Sequence, residues 1–283
     1  RGDPEEFVME AIKIGLGEFG FSEHLPHPNR EGCLYPIENQ QYQDGKNRLW
    51  RDYSKRIINL RKKYHRQINI LLGCEIDFFG VNISSWQKET LMNALPEGVS
   101  YDYFIGSVHF LDGIGFDLNP ETFRQLLTKY NGNIEEVYRA YFLAVQEMVS
   151  TTDIDIVGHL GNINRMQKAH TDFVAPDGFH NIEGEGDLSK IIRDTLEMIR
   201  AKNICLDVNA GSLRNPSCEE VHPHEQILKY ARKIDIPITL GTDSHQSSHV
   251  GSGLNILLET LARTGYTEYA TFFERERRMM PLP

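Results

Sequence analysis

The stretch IDIPITLGTDSH, residues 234–245, runs from an apolar segment straight into a carboxylate and an imidazole, Asp243 and His245. An apolar run of this length closed by glycine reads as a buried strand. A carboxylate and an imidazole two residues apart, just past a strand's end, can hold two neighbouring metal ions from one short loop. The pattern recurs along the chain. Apolar segments at 19–21, 68–72, 101–105 and 154–157 are followed by His24, Glu75, His109 and His159, each after a small or polar residue. Parallel strands that alternate with helices present their carboxyl ends on one face, where such folds build their sites. Four histidines and two acids at equivalent positions predict a multinuclear metal site.

The rest of the sequence supports that architecture. A helix is expected from Asp3 as cap and Pro4 as first residue, with Phe7, Val8, Ala11 and Ile12 as its apolar stripe. Strand and helix then alternate about six times: strands near 17–21, 68–75, 101–109, 154–158, 204–208 and 236–240, and helices near 47–66, 84–94, 120–130, 134–150, 188–201, 224–233 and 254–264. This order predicts an α/β fold with a parallel sheet. No linker or low-complexity tract divides the 283 residues, so one domain over 1–283 is expected.

Composition bounds the function. With 40% hydrophobic and 25% charged residues the chain is that of a soluble globular protein. A formal charge of −10 argues against a nucleic-acid partner, which needs a basic face. No apolar run approaches the roughly 20 residues of a membrane helix, and residues 1–6 lack the apolar stretch of a signal peptide. Cys33, Cys74, Cys205 and Cys218 are widely spaced with no CxxC, as expected of free thiols in a reducing cytoplasm. There is no Walker loop, GxGxxG or GxSxG, so neither a nucleotide cradle nor a serine nucleophile is indicated.

Several residues have two readings each. Arg165 in GHLGNINR and Arg214 in NAGSLRNP follow site strands, where a guanidinium can grip phosphate oxygens; a surface arginine is the alternative. His27 lies close to His24 and can touch a substrate. Asp207, within a strand, reads as a partner of the site or as a strand cap. His170 and His180 lie in an irregular stretch that reads as a lid, and His222 and His224 read as cap or surface residues.

The segments SEHLPH, GCEID, YDYFIGSVHFLDGIGFD, GHLG, NAGSLRNP and ITLGTDSH together resemble the PHP (polymerase and histidinol phosphatase) superfamily, and more narrowly its histidinol-phosphatase branch. The resemblance spans nearly the whole chain, in order. It implies a distorted seven-stranded (β/α) TIM-like barrel with two to three divalent ions (Zn, Mn or Fe). It also implies hydrolysis of a small phosphate monoester, with L-histidinol phosphate as the expected substrate. On it, Glu75 bridges two ions, His109 and His159 complete the second, Asp243 serves the first, and His24 and His245 the third. Glu75, Asp243 and His245 carry the catalysis, and Arg165 and Arg214 contact the phosphate. One departure stands out: the family's HxH motif on the first strand is not in this sequence, and residues 1–5 resemble the family's segment just after that motif. The expectation is therefore a barrel lacking its first strand, with weakened first and third metal sites. Metal binding without turnover, or a different small phosphomonoester, remain the alternatives.

Overall fold

The computed structural model describes residues 2–25, 40–79, 95, 99–169, 179, 181–215, 218 and 220–283. Helix α1 (Pro4–Lys13) starts where the cap signal places it, with the Asp3 side chain accepting from the Glu5 N–H at 2.8 Å and Phe7, Val8 and Ala11 buried. Strand β1 (Glu18–Phe21) leads through α2 (Gln40–Tyr64) to β2 (Asn69–Asp77) and β3 (Tyr103–Ser107). The short ribbon β4 (Phe110–Leu111) and β5 (Ile114–Gly115) then precedes helices α3 (Pro120–Lys129) and α4 (Ile134–Thr151) and strand β6 (Ile156–Val157). Beyond them come α5 (Asp187–Ala201), β7 (Cys205–Asn209), α6 (Glu225–Lys233), β8 (Ile238–Gly241) and α7 (Leu254–Thr264). The helix expected at 84–94 lies outside the described residues.

Strands β1, β2, β3, β6, β7 and β8 pair in that order, all parallel, as one curled sheet. Six parallel strands are thus described, as many as the sequence pattern marks, and the seventh strand implied by the family resemblance is not among them. Successive side chains of a strand point to opposite faces, and the burial follows that rule. Ile70, Leu72 and Cys74 of β2 pack in the large core with the helices, whereas Leu71 joins Tyr103, Ile156, Cys205, Ala270 and Phe272 in a separate inner cluster. Counting in twos from Leu71 along β2 reaches Gly73, Glu75 and Asp77, and from Cys205 along β7 reaches Asp207 and Asn209. The inner face is therefore apolar at the start of the strands and acidic at their carboxyl ends. Gly73 makes room for the Tyr103 ring, since a Cβ there would lie 2.2 Å from a ring carbon.

The hairpin that ends the chain's described elements was not anticipated. Strands β9 (Glu268–Phe273) and β10 (Glu276–Pro281) form an antiparallel hairpin whose turn residues, Glu274 and Arg275, both have positive φ. Such two-residue turns usually carry Asn-Gly or Asp-Gly, so Glu-Arg gives no local signal. The hairpin closes the amino-terminal end of the sheet. Ala270 and Phe272 enter the inner cluster, and the Arg275 N–H donates to the Asp102 carbonyl at 2.9 Å. The Arg275 guanidinium donates to both Asp155 oxygens at 3.0 Å and to Asp153 at 2.8 Å, and lies 4.6 Å from the Phe104 ring centre.

Arg275→Ala is expected to lower unfolding free energy by about 1.5–3 kcal/mol, because it strands a largely buried Asp155 carboxylate. Asp153→Ala should cost under about 1 kcal/mol, its side chain being 72% exposed. Urea titrations of both variants check the ranking; equal losses would contradict it.

Candidate metal centre

The sequence-predicted residues fall on one side of the sheet, at its carboxyl ends. His24 follows β1 and bridges to Glu75 on β2, with the Glu75 N–H donating to the Glu23 carbonyl at 3.0 Å and the Leu25 N–H to the Glu75 carbonyl at 2.8 Å. His109 follows β3, His159 follows β6, and Asp243 and His245 follow β8. Five of the six, all but His109, line a cavity of about 890 Å3 that β1 and β8 also flank. His109 completes the group from behind, 9% exposed. Two of these residues sit in strained backbone: His159 has φ +21° and Asp243 φ +47°, a region that non-glycine residues seldom occupy.

Glu75 is the hub. Its Oε1 lies 3.2 Å from His159 Nε2 and 3.6 Å from His109 Nε2, and its Oε2 lies 3.6 Å from His24 Nε2. The His109 and His159 Nε2 atoms are 3.1 Å apart. Glu75 is 8% exposed. Burial disfavours its charge, yet the three imidazoles outweigh that and hold its carboxyl well below the usual range. In return, His109 is pushed up to about 9 against burial by Asp117, Asp77 and Glu75, and His24 and His159 are also raised against burial, chiefly by Glu75.

The donor set fits divalent metal. Two nitrogens on one tetrahedral ion, each bonded at about 2.0–2.1 Å, stand about 3.3 Å apart, close to the observed spacings around Glu75 Oε1. His109 Nδ1 faces Asp77 at 2.5 Å, so in the neutral ring the Nε2 lone pair points at His159 and Glu75. Lone pairs gathered in this way repel unless a cation or proton sits among them. The cluster Glu75, His109 and His159 has this character; in the second cluster, His24, Asp77 and His109, it is the two Nδ1 atoms that face the Asp77 carboxylate.

The remaining expectations divide. Asp243 and His245 are adjacent, with His245 Nδ1 3.4 Å from Asp243 Oδ1, and His245 is two-thirds exposed. The Arg214 guanidinium is engaged: it donates to the Thr242 carbonyl at 2.6 Å and to the Asp243 carbonyl. It therefore clamps the loop that carries Asp243. Arg165 lies 3.8 Å from Asp117, and its buried Nε has no hydrogen-bond partner. Asp207 takes the Asn209 amide at 2.7 Å and the His159 N–H at 3.4 Å, and burial lifts it to about 6. Gly241 admits it, for a Cβ there would lie 2.3 Å from Asp207 Oδ1. His224 caps α6 as anticipated, but His222 is buried rather than surface-exposed. His27, His170 and His180 lie outside the described residues.

A family model described as PHP domain matches residues 1–211. The chain belongs to the PHP domain family. Among relatives, a protein named histidinol-phosphatase from Bacillus subtilis is 27% identical over 259 residues, covering 90% of this chain and 91% of its own. One named "probable histidinol-phosphatase" from Deinococcus radiodurans is 26% identical over 280 residues, covering 99% and 93%. A third of that name, from Schizosaccharomyces pombe, is 24% identical, covering 94% and 83%. Among solved structures, a "putative histidinol phosphatase" from Listeria monocytogenes superposes with a TM-score of 0.70 at 22% identity, covering 89% of this chain and 92% of that one. That likeness identifies the fold of this PHP domain. Among its described residues no helix is long and apolar enough to cross a membrane.

Burial pushes His222 down to about 3, so the unfolded chain takes up this proton at a higher pH than the folded one does. Its neutral form supports stability above about pH 6.5, and that support is lost as pH falls from there towards 3. Melting curves of metal-free protein should therefore fall more steeply across that window for wild type than for His222→Gln. Parallel curves would contradict this.

Proposed function

We propose that this protein is a metal-dependent phosphomonoester hydrolase acting on L-histidinol phosphate. The observation that carries it is the buried Glu75 carboxylate with three imidazole Nε2 atoms turned towards its two oxygens. Relatives named histidinol-phosphatase along 90% or more of the chain supply the substrate. In this reading the protein is a single domain whose sheet is that of a seven-stranded barrel, with the seventh place between the edge strands β1 and β8. A cytoplasmic setting suits the buried free thiols of Cys74, Cys205 and Cys218.

His24, Glu75, His109, His159, Asp243 and His245 would hold two to three zinc, manganese or iron ions, Glu75 with one oxygen towards His24 and the other towards His109 and His159. Bound divalent ions supply Lewis acidity to the phosphoryl oxygens and bring the pKa of an attacking water to near ~7. The chain's own groups do the rest. Arg165 offers its unpartnered Nε–H and the rest of its fork to the phosphate. Arg214 holds the Asp243 loop in place and keeps its remaining donors for the same anion. The low pKa of Glu75 keeps the hub anionic throughout the physiological range.

Phosphate release from L-histidinol phosphate is expected to stop on chelation and resume on adding back zinc or manganese. Glu75→Gln should lower kcat by about 100-fold or more. Release that ignores both treatments would contradict the proposal; tight metal binding with no release would favour the non-catalytic alternative, and release from other monoesters alone would favour a different substrate.

Arg165→Ala should weaken substrate binding by about 1.5–3 kcal/mol, the range for a charged hydrogen bond, with metal content unchanged. Arg214→Ala should disturb both, because it also frees the Asp243 carbonyl. Metal analysis beside steady-state kinetics distinguishes the two, and unaltered KM in Arg165→Ala would remove that residue from the phosphate site.

A further inference from the structure

We propose that Asp77 is the positioning residue of the centre: its carboxylate keeps the protons of His24 and His109 on Nδ1 and so leaves both Nε2 lone pairs aimed at the ion-binding side. The inference rests on the metal-site reading and adds a residue with its own task. Asp77 stands two positions beyond Glu75 on β2, on the same inner face, and is 2% exposed. Strand β2 lies between β1 and β3 in the sheet. From that middle position one carboxylate reaches the histidine after each neighbouring strand, Oδ2 to His24 Nδ1 at 2.8 Å and Oδ1 to His109 Nδ1 at 2.5 Å. The backbone beneath is fixed as well, the Phe78 N–H donating to the Ser107 carbonyl at 2.8 Å.

An ionised carboxylate only accepts, so each Nδ1 facing it must donate. A neutral imidazole that donates from Nδ1 has its lone pair on Nε2. Both Nε2 atoms point away from Asp77 and towards Glu75, and that of His109 also towards His159. Asp77 itself makes a poor ligand. Each of its oxygens is matched to one ring nitrogen, whereas the Nε2 side gathers both Glu75 oxygens and three imidazoles. The two oriented rings do not stack: their centres are 5.4 Å apart and their planes inclined by 62°, as a fork closing on one carboxylate requires. His159 provides the contrast, since its buried Nδ1 has no hydrogen-bond partner. Carboxylates that orient metal-bound histidines typically tune metal affinity by about 10–100-fold.

The test uses zinc-loaded protein carrying 15N-histidine. Two-bond proton–nitrogen correlation spectra report which ring nitrogen holds the proton, and His24→Gln and His109→Gln assign the signals. In wild type both rings are expected to carry Nδ1–H, protected from exchange. In Asp77→Asn the amide can accept from only one Nδ1–H, so the other ring should lose its protected Nδ1–H, and zinc affinity should fall by about 10–100-fold. A merely structural aspartate would not move a proton between ring nitrogens. An Nε2–H on either ring in wild type overturns the proposal without any variant, as do two retained Nδ1–H signals with unchanged zinc affinity in Asp77→Asn. Zinc binding that persists with misplaced protons sinks the role of Asp77 alone. Absence of zinc binding in wild type sinks the metal-site reading with it.

Discussion

Everything at the carboxyl face is arranged around one buried anion. A carboxylate that is 8% exposed is costly unless positive charge or protons are brought to it, and here three imidazoles from three other strand ends do so. The curled parallel sheet makes the convergence possible. Neighbouring parallel strands lie about 4.8 Å apart, so the residues just beyond β1, β3 and β6 fall within reach of Glu75 on β2. The same anion explains the raised histidines: burial alone would lower them, and the acids reverse that.

The two ends of the sheet do different work. At the amino-terminal end the inner face is apolar and is sealed by the β9–β10 hairpin, which Arg275 ties to Asp102, Asp153 and Asp155. At the carboxyl end the inner face turns acidic, with Glu75, Asp77 and Asp207 in the rows that begin with Leu71 and Cys205. Stability is thereby concentrated away from the chemistry. The face that carries the candidate ligands can then tolerate strained backbone at His159 and Asp243 and a mutually repulsive donor set.

Much of this was legible because strand ends have an unmistakable signature. An apolar run followed by a small residue and then His, Asp or Glu marks β2, β3, β6 and β8 and names Glu75, His109, His159, Asp243 and His245 at once. Asp77 escaped that reading because, although it ends the quoted segment GCEID, it still lies within β2 rather than just past a strand's end. Its signal was the period of two from Glu75 along β2, which places it on the same inner face. The hairpin escaped because Glu274-Arg275 lacks turn residues. Arg214 was read as a phosphate ligand from its position after a strand; that its donors reach the carbonyls of Thr242 and Asp243 depends on how two loops meet, which no local pattern records. The seventh strand of the family barrel belongs to neither the motifs nor the described sheet.

The central claim is that Glu75 shares cations with the histidines around it. The most direct measurement is anomalous diffraction from crystals grown with zinc or manganese. The account predicts a peak within bonding distance, about 2.0–2.3 Å, of Glu75 Oε1, His109 Nε2 and His159 Nε2, and a second on the Oε2 side shared with His24. A map with no peak against Glu75, or with metal bound only elsewhere on the protein, would contradict it.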